Sequence, residues 1–203
     1  INSYLKSLKD QLTTSDRLAS MNMANAFLFN TYFDKKGLKD SYKKSLTRYS
    51  DSWIDEFDFS ANISRVNALN EWVRKETEGM IDTIIELPSP INIFHCANVA
   101  YFNGKWSDEF NPSDTKTGRF YMSDGTEEKV AMMHKTAFLQ YASSDGVSMV
   151  RLPYGNGSFE MIIVLPDERD GLKNYIQNIS EENWKALLAK SSSPEVSLSI
   201  PKF

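Results

Sequence analysis

A chain of 203 residues with 41% hydrophobic and 12% aromatic side chains is long and apolar enough to bury a core, which excludes an intrinsically disordered segment. Its formal net charge of -4, with lysines dispersed among aspartates and glutamates, excludes a nucleic-acid surface. The longest apolar run is shorter than a bilayer span and carries Asn and His, so no transmembrane helix is read, and these residues contain no signal peptide.

Taken in chain order, Ile1, Leu5, Leu8 and Leu12 recur at helical spacing and predict an amphipathic helix to about residue 13. Thr13 to Ser20 is a polar connection. Met21 to Asn30 predicts a strand covered on both faces, and Asp34-Lys-Lys-Gly37 a turn. Leu38, Tyr42, Leu46 and Tyr49 mark a second helix, and Ser52 to Phe59 an aromatic-rich strand. A third helix is predicted over 63–81, with Asn62 as N-cap and Val66, Leu69, Val73, Thr77, Met80 and Ile84 on one stripe. Thr77 and Gly79 interrupt that stripe. They are expected to let the helix lie close against a flat partner, Gly79 costing about 1 kcal/mol of helix stability. Leu87-Pro-Ser-Pro90 ends the segment.

Residues 92–102 are almost continuously apolar, which predicts a strand buried on both faces of a sheet. Ala97 and Ala100 leave room for a bulky neighbour. Asn98 is the polar exception, expected as a buried amide bonded to neighbouring strands. Gly104 permits a turn, and Trp106 and Phe110 are aromatic anchors beyond it. Cys96, the only cysteine, excludes an intrachain disulfide and reads as a small buried hydrophobe.

Beyond Phe110 the segments shorten. Hairpin turns are predicted at Ser123-Asp-Gly125 and at Tyr154–Ser158, with Asn156-Gly157 as a type I′ pair. Strands are predicted at 118–122, 127–133, 137–142, 147–153, 159–165 and 195–200. Helices are predicted at 172–177 and after an N-cap at Ser180. Helices and hairpin-linked strands segregate without repeat or linker, so the fold class is α+β, one domain across 1–203. The chain opens on what reads as the inside of a helix and stops after a strand. That predicts a piece of a larger domain, so a missing leader carries no information on location.

Little in the chain reads as chemistry. His95 is expected as a satisfied core or interstrand histidine and His134 at a strand end, neither within a metal-ligand motif, so no metal and no cofactor are predicted. Cys96 beside His95 is not a dyad, because strand neighbours point to opposite faces. There is no nucleophile elbow, and Gly155-Asn-Gly157 lacks the glycines of a phosphate loop. Asp55-Glu56 reads as a solvated strand face and Glu181-Glu182 as a helix first turn. Three tripeptides fit the N-glycosylation pattern, at Asn62, Asn156 and Asn178. The pattern is common by chance, and two of the three also read as capping or turn chemistry.

An ordered series of short motifs resembles the serpin superfamily. Leu69-Asn-Glu-Trp-Val-Arg-Lys-Glu-Thr-Glu-Gly-Met-Ile81 is similar to its Asn-x-Trp-Val then Thr-x-Gly-x-Ile helix. Asn98-Val-Ala-Tyr-Phe-Asn-Gly-Lys-Trp106 is similar to its Asn-Ala-Ile-Tyr-Phe-Lys-Gly-x-Trp strand, followed by Phe110, Thr115 and Phe120. Met23–Phe29, Val130–Met133, Leu152-Pro-Tyr154, Ile163–Pro166 and Ile200–Phe203 complete the series. The resemblance implies the serpin fold, a large sheet A with covering helices plus smaller sheets B and C. The early helices, the reactive loop and the C-terminal strands are absent from these residues. It implies Asn98 as the shutter asparagine and Trp106 as the breach tryptophan, with Phe102 and Gly104 between them. It also implies that Asn70, Trp72, Thr77 and Gly79 belong to the helix over sheet A. Asn103, Asn92 and Cys96 depart from the family's usual residues.

The implied function is inhibition of serine, or cysteine, proteases by suicide-substrate trapping, with a cleaved loop inserting into sheet A. These residues would supply the gate, not the loop, and would be unstable alone, with exposed sheet edges and an unfilled core. The implied location is extracellular, and the partners are a target protease and the rest of the serpin chain, with no enzymatic activity. The alternative is a non-inhibitory serpin with a carrier, chaperone or storage role. A remote one is an unrelated α+β hydrolase or binding domain, which a thiol-probe adduct on Cys96 would revive.

Overall fold

A computed structural model describes residues 2–60, 63–86 and 90–203. Ile1, the predicted N-cap Asn62 and the Leu87-Pro-Ser89 stretch lie outside the described residues. The chain forms two compact units, residues 1–103 and 104–203.

The first unit contains α1 (Asn2–Thr14), β1 (Ala19–Asn30), α2 (Asp40–Ser50), β2 (Trp53–Phe57), α3 (Ile63–Glu76) and β3 (Phe94–Gly104), which ends at the boundary. Its strands form one sheet of order β2-β1-β3. β1 and β2 pair in parallel, from Ala26 opposite Trp53 to Asn30 opposite Phe57; α2 is the crossover that a parallel pair requires. Asn30 meets Ile93, Asn25 meets Asn98 and Ser20 meets Asn103, so β3 runs antiparallel to β1.

Alternation along β1 decides what covers each face. Ala24, Ala26 and Leu28 are buried together with Leu69 and Val73 of α3, while Trp72 packs against both groups. The small alanines, Ala97 of β3 included, let α3 lie close to the sheet. This fits the room expected around Ala97; Ala100 is exposed instead. The opposite face carries Phe27, stacked on Phe94 at 5.5 Å and edge-on to Tyr42 of α2 at 5.9 Å.

The second unit holds β4 (Lys116–Tyr121), β5 (Glu127–Phe138), β6 (Gln140–Ser144), β7 (Val147–Tyr154), β8 (Phe159–Pro166), α4 (Leu172–Asn178), α5 (Glu181–Ala189) and β9 (Glu195–Pro201). Two antiparallel sheets result, β4-β5-β9 and β6-β7-β8. Met133 and Ile200 of one pack with Val150 and Leu152 of the other. The far face of β6-β7-β8 buries Val147 and Met149 under α5's Leu187, with Tyr175 of α4 alongside. As the sequence predicts, Ser180 caps α5, its Oγ accepting from Asn183 N–H at 3.1 Å.

Several expectations are corrected. α3 ends at Glu76, so Thr77 and Gly79 lie past it. β3 is not buried on both faces; among the described residues it is the sheet's edge strand, and Val99 alone in it is buried. Gly104 closes β3 without a positive φ. The two-residue hairpin is Asp145-Gly146, with φ 54° and 79°, the positive values a type I′ turn demands. The 154–158 stretch is a four-residue loop, Tyr154 pairing with Phe159, and its positive φ values fall on Gly155 and Gly157 rather than Asn156.

Candidate functional site

α3 is fastened at its C-terminal end. Thr77, 1% exposed, donates from Oγ1 to the Val73 carbonyl at 2.8 Å and accepts from Ile81 N–H at 3.1 Å. Gly79 N–H reaches the Arg74 carbonyl at 2.8 Å and Glu78 N–H the Lys75 carbonyl at 3.2 Å, which is a Schellman closure. Its left-handed position is held by Glu78, φ 49°, followed by Gly79 at φ 84°. A Cβ on Gly79 would touch nothing within 4 Å. Its role is conformational and not the expected close contact. Asn22 of β1 donates to the Glu76 carbonyl and carboxylate at 2.9 and 2.8 Å, and Tyr101 of β3 donates to Glu78 at 3.1 Å. The helix end is thereby tied to both strands beneath it.

Midway along the same helix, Asn70 binds the chain that leaves it. Its Nδ2 donates to the Ile85 carbonyl at 2.8 Å, and its Oδ1 accepts from Ile84 and Ile85 N–H at 3.1 and 3.3 Å. Trp72 is half-buried, 5.9 Å from Trp53 and tilted by 40°.

The opposite sheet face carries Asn98, which is exposed and not buried as expected. Its predicted cross-strand bond is present: Nδ2 donates to Asn25 Oδ1 at 2.7 Å, and Asn25 Nδ2 donates to the Ser50 carbonyl at 3.2 Å. The relay links β3, β1 and the end of α2. Phe102 lies on the same face, exposed. Cys96 is exposed as well, not the buried hydrophobe expected, and partial burial raises its thiol pKa.

The buried amide belongs instead to Asn30, fully inaccessible at the end of β1. Nδ2 donates to the Pro90 and Asn92 carbonyls at 3.1 and 2.8 Å, while Oδ1 accepts from Tyr32 and Phe59 N–H at 3.1 and 3.2 Å. Beside it in β3, His95 packs on the Phe59 ring at 5.0 Å, and its buried Nε2 has no partner. Burial pushes its imidazole pKa below the usual value. The histidine expected to be satisfied, in the core or between strands, is thus half-buried with its Nε2 unsatisfied. Asp55 and Glu56 are engaged rather than solvated. Asp55 pairs with Arg65 at 3.1 Å, and Glu56 takes Lys43 and Leu38 N–H. Burial works to raise the Glu56 pKa, but these two partners together hold it below the ordinary range.

In the second unit Trp106 stacks on Tyr154, centroids 4.3 Å apart and 13° from parallel, with Phe110 and Phe203 edge-on at 6.0 and 6.4 Å. The backbone closes the same clasp. Ser107 N–H donates to the Pro153 carbonyl at 2.9 Å, Gly155 N–H to the Lys105 carbonyl at 2.8 Å, and Ser107 Oγ to the Gly155 carbonyl at 2.8 Å. The anchor role expected of Trp106 and Phe110 fits this geometry. His134 sits in mid-β5 and not at a strand end. Its Nδ1 is 2.7 Å from Ser199 Oγ, on the side of the sheet away from Met133 and Ile200.

The predicted residues therefore fall in three places: Asn70, Trp72 and Thr77 on or just past α3, Asn98 and Phe102 on the far sheet face, and Trp106 in the second unit. Their chemistry is that of ties and plugs. Among the described residues no three His, Cys, Asp or Glu side chains gather, and no helix is long and apolar enough to cross a membrane. Sequence reasoning missed Asn22, Asn25 and Asn30. Their signal was present, three amides inside a strand otherwise read as covered on both sides.

The comparisons agree with the geometry. The family model described as Serpin (serine protease inhibitor) matches residues 1–203. An uncharacterized serpin-like protein of Thermococcus kodakarensis is 30% identical over 82% of this chain and 39% of its own length. Serpin-Z4 of Arabidopsis thaliana is 34% identical over 76% and 41%. The chain thus spans about two fifths of the length of these relatives. The structure of emu ovalbumin superposes with a TM-score of 0.88 at 20% identity, covering 99% of this chain and 53% of that one.

Proposed function

The chain belongs to the serpin family, and from that premise we propose that the protein carrying it traps serine proteases as a suicide substrate. The target cleaves an exposed reactive loop and is held as an acyl-enzyme while the loop enters the sheet containing β1, β2 and β3. The observation that carries the reading is the serpin family match over residues 1–203, and β3 at the sheet's edge among the described residues is consistent with it. An edge strand offers unpaired N–H and C=O groups, which an incoming strand can satisfy. Asn98, through Asn25, is the shutter tie that opening must break. Trp106 is the breach plug, Phe102 and Gly104 stand between it and Asn98 in the chain, and α3 with Asn70, Trp72 and Thr77 covers the sheet.

Both units belong, in this reading, to one serpin domain completed by further chain that includes the loop. The protein is extracellular, performs no catalysis of its own, and takes serine proteases as partners, with cysteine proteases as a second class. Incubation of the full-length protein with a panel of both protease classes tests this. The expected result is a complex that survives SDS, together with loop-cleaved protein. Loop cleavage that leaves the protease free overturns inhibition and establishes a non-inhibitory serpin.

A further inference from the structure

Three Asn-x-Ser tripeptides occur in the chain, and the structure separates them. Asn62 lies outside the described residues. Asn178 sits in the last turn of α4, where its Nδ2 donates to both the backbone and side-chain oxygens of Asn174 at 2.8 Å. Its serine, Ser180, is the N-cap of α5. Modification there would compete with the folding of two helix ends. Asn156 is placed differently. It is exposed, outside any helix or strand, on the four-residue loop between β7 and β8. The loop backbone has its own ties: Gly157 N–H donates to the Tyr154 carbonyl at 2.7 Å, and Gly155 is held by Lys105 and Ser107. Ser158 N–H donates to Asn156 Oδ1 at 2.9 Å, which turns the amide of Asn156 back toward the residue whose hydroxyl the acceptor pattern requires.

A glycan is bulky and hydrophilic and must remain at the surface after folding. Asn156 meets that condition, exposed at a hairpin tip. We propose that Asn156 is an N-glycan acceptor. Its Nδ2 attacks the anomeric carbon of an oligosaccharide carried on a lipid diphosphate. The carbon–nitrogen bond forms as the bond to the diphosphate oxygen breaks. The lipid diphosphate leaves with the electron pair, and Nδ2 gives up one proton; nothing is oxidised or reduced. The inference rests on the extracellular location proposed above, because the donor lipid is met only in a secretory lumen. It places a sugar on the loop whose next residues clasp Trp106.

The test uses the full-length protein secreted from a eukaryotic host. Enzymatic removal of N-glycans in heavy-oxygen water should convert Asn156 to labelled aspartate and raise gel mobility by one glycan step. Asn156→Gln and Ser158→Ala should each abolish that step, Ser158→Thr should retain it, and Asn178→Gln should leave it unchanged. The paired variants guard against a folding defect in either one. An unlabelled Asn156, or a step that survives Ser158→Ala, overturns the inference. Glycans at other positions with Asn156 bare would overturn it while leaving the extracellular reading intact. Native protein that is cytosolic and unmodified would overturn both.

Discussion

β3 and β7 are both rich in apolar residues, and they are used in opposite ways. β7 lies between β6 and β8, with Val150 and Leu152 facing one core and Val147 and Met149 the other. Among the described residues β3 has a neighbour on one side only, and Val99 is its single buried residue. The lesson is that apolar composition does not fix a strand's place in a sheet; the number of layers and neighbours does. The β7 unit is held by packing. The β3 unit adds to its packing a set of amide ties: Asn30, Asn25 with Asn98, Asn22 and Asn70.

That contrast can be broken at its strongest point by Leu69→Ala, at 1% exposure under α3. The expected loss is about 2–5 kcal/mol, read by chemical denaturation of the full-length protein. A loss under 1 kcal/mol would mean that α3 is not what packs the first unit. Next comes Asn30→Ala, which leaves two N–H groups and two carbonyls without partners. We expect a cost of about 2 kcal/mol or more, and Asn30→Asp should not restore it, because a carboxylate cannot donate to Pro90 and Asn92. Trp106→Ala should cost about 1–3 kcal/mol and quench the tryptophan signal that reports on the clasp. A variant as stable as wild type would show the stack on Tyr154 to be idle.

Asn98→Ala sharpens the comparison, since its tie is exposed. A loss of about 0.5–1.5 kcal/mol is expected, with faster passage to a loop-inserted form on mild heating. A cost equal to that of Asn30→Ala would contradict the difference in burial. The smallest effect concerns His95. Burial lowers its pKa in the folded state, so the unfolded chain, titrating near about 6.5, binds the proton more readily. Stability held above about pH 6.5 should therefore decline as pH falls toward the lowered folded value. Melting temperatures between about pH 8 and 5.5 should fall in the wild type and flatten in His95→Phe, a window above the carboxylate titrations. Equal slopes in both proteins would remove His95 from the account.

Element types were legible in the sequence wherever one local rule acted alone. Period and capping gave the helices of both units, including the Ser180 cap, and glycine-bearing turns gave the hairpins after β4 and β7. What escaped depended on partners distant in sequence. Whether Asn98 or Asn30 is the buried amide turns on which end of β1 is roofed by residues 57–59 and 90–92, and no window around either asparagine contains that. The end of α3 was misplaced because Thr77 continues the apolar stripe, whereas Glu78 and Gly79 adopt positive φ and stop the helix. The 154–158 turn was misread because Asn-Gly is the stronger local signal, while the Asp145-Gly146 pair took the two-residue hairpin. Of the candidate site, residues such as Asn98 and Trp106 were named by resemblance, and the amides beside them, Asn22, Asn25 and Asn30, were not.

The four bonds of Asn30 also set a timetable. Three of its partners lie far off, 29 residues away at Phe59, 60 at Pro90 and 62 at Asn92, so only the bond from Tyr32 N–H can form before two long loops have closed. The entropy of closing those loops must be met by packing before the three distant bonds contribute anything. Asn30 is thus a late rivet whose strength falls on the unfolding limb of the kinetics. Weakening it should shorten the lifetime of the folded state while leaving the rate of folding nearly untouched.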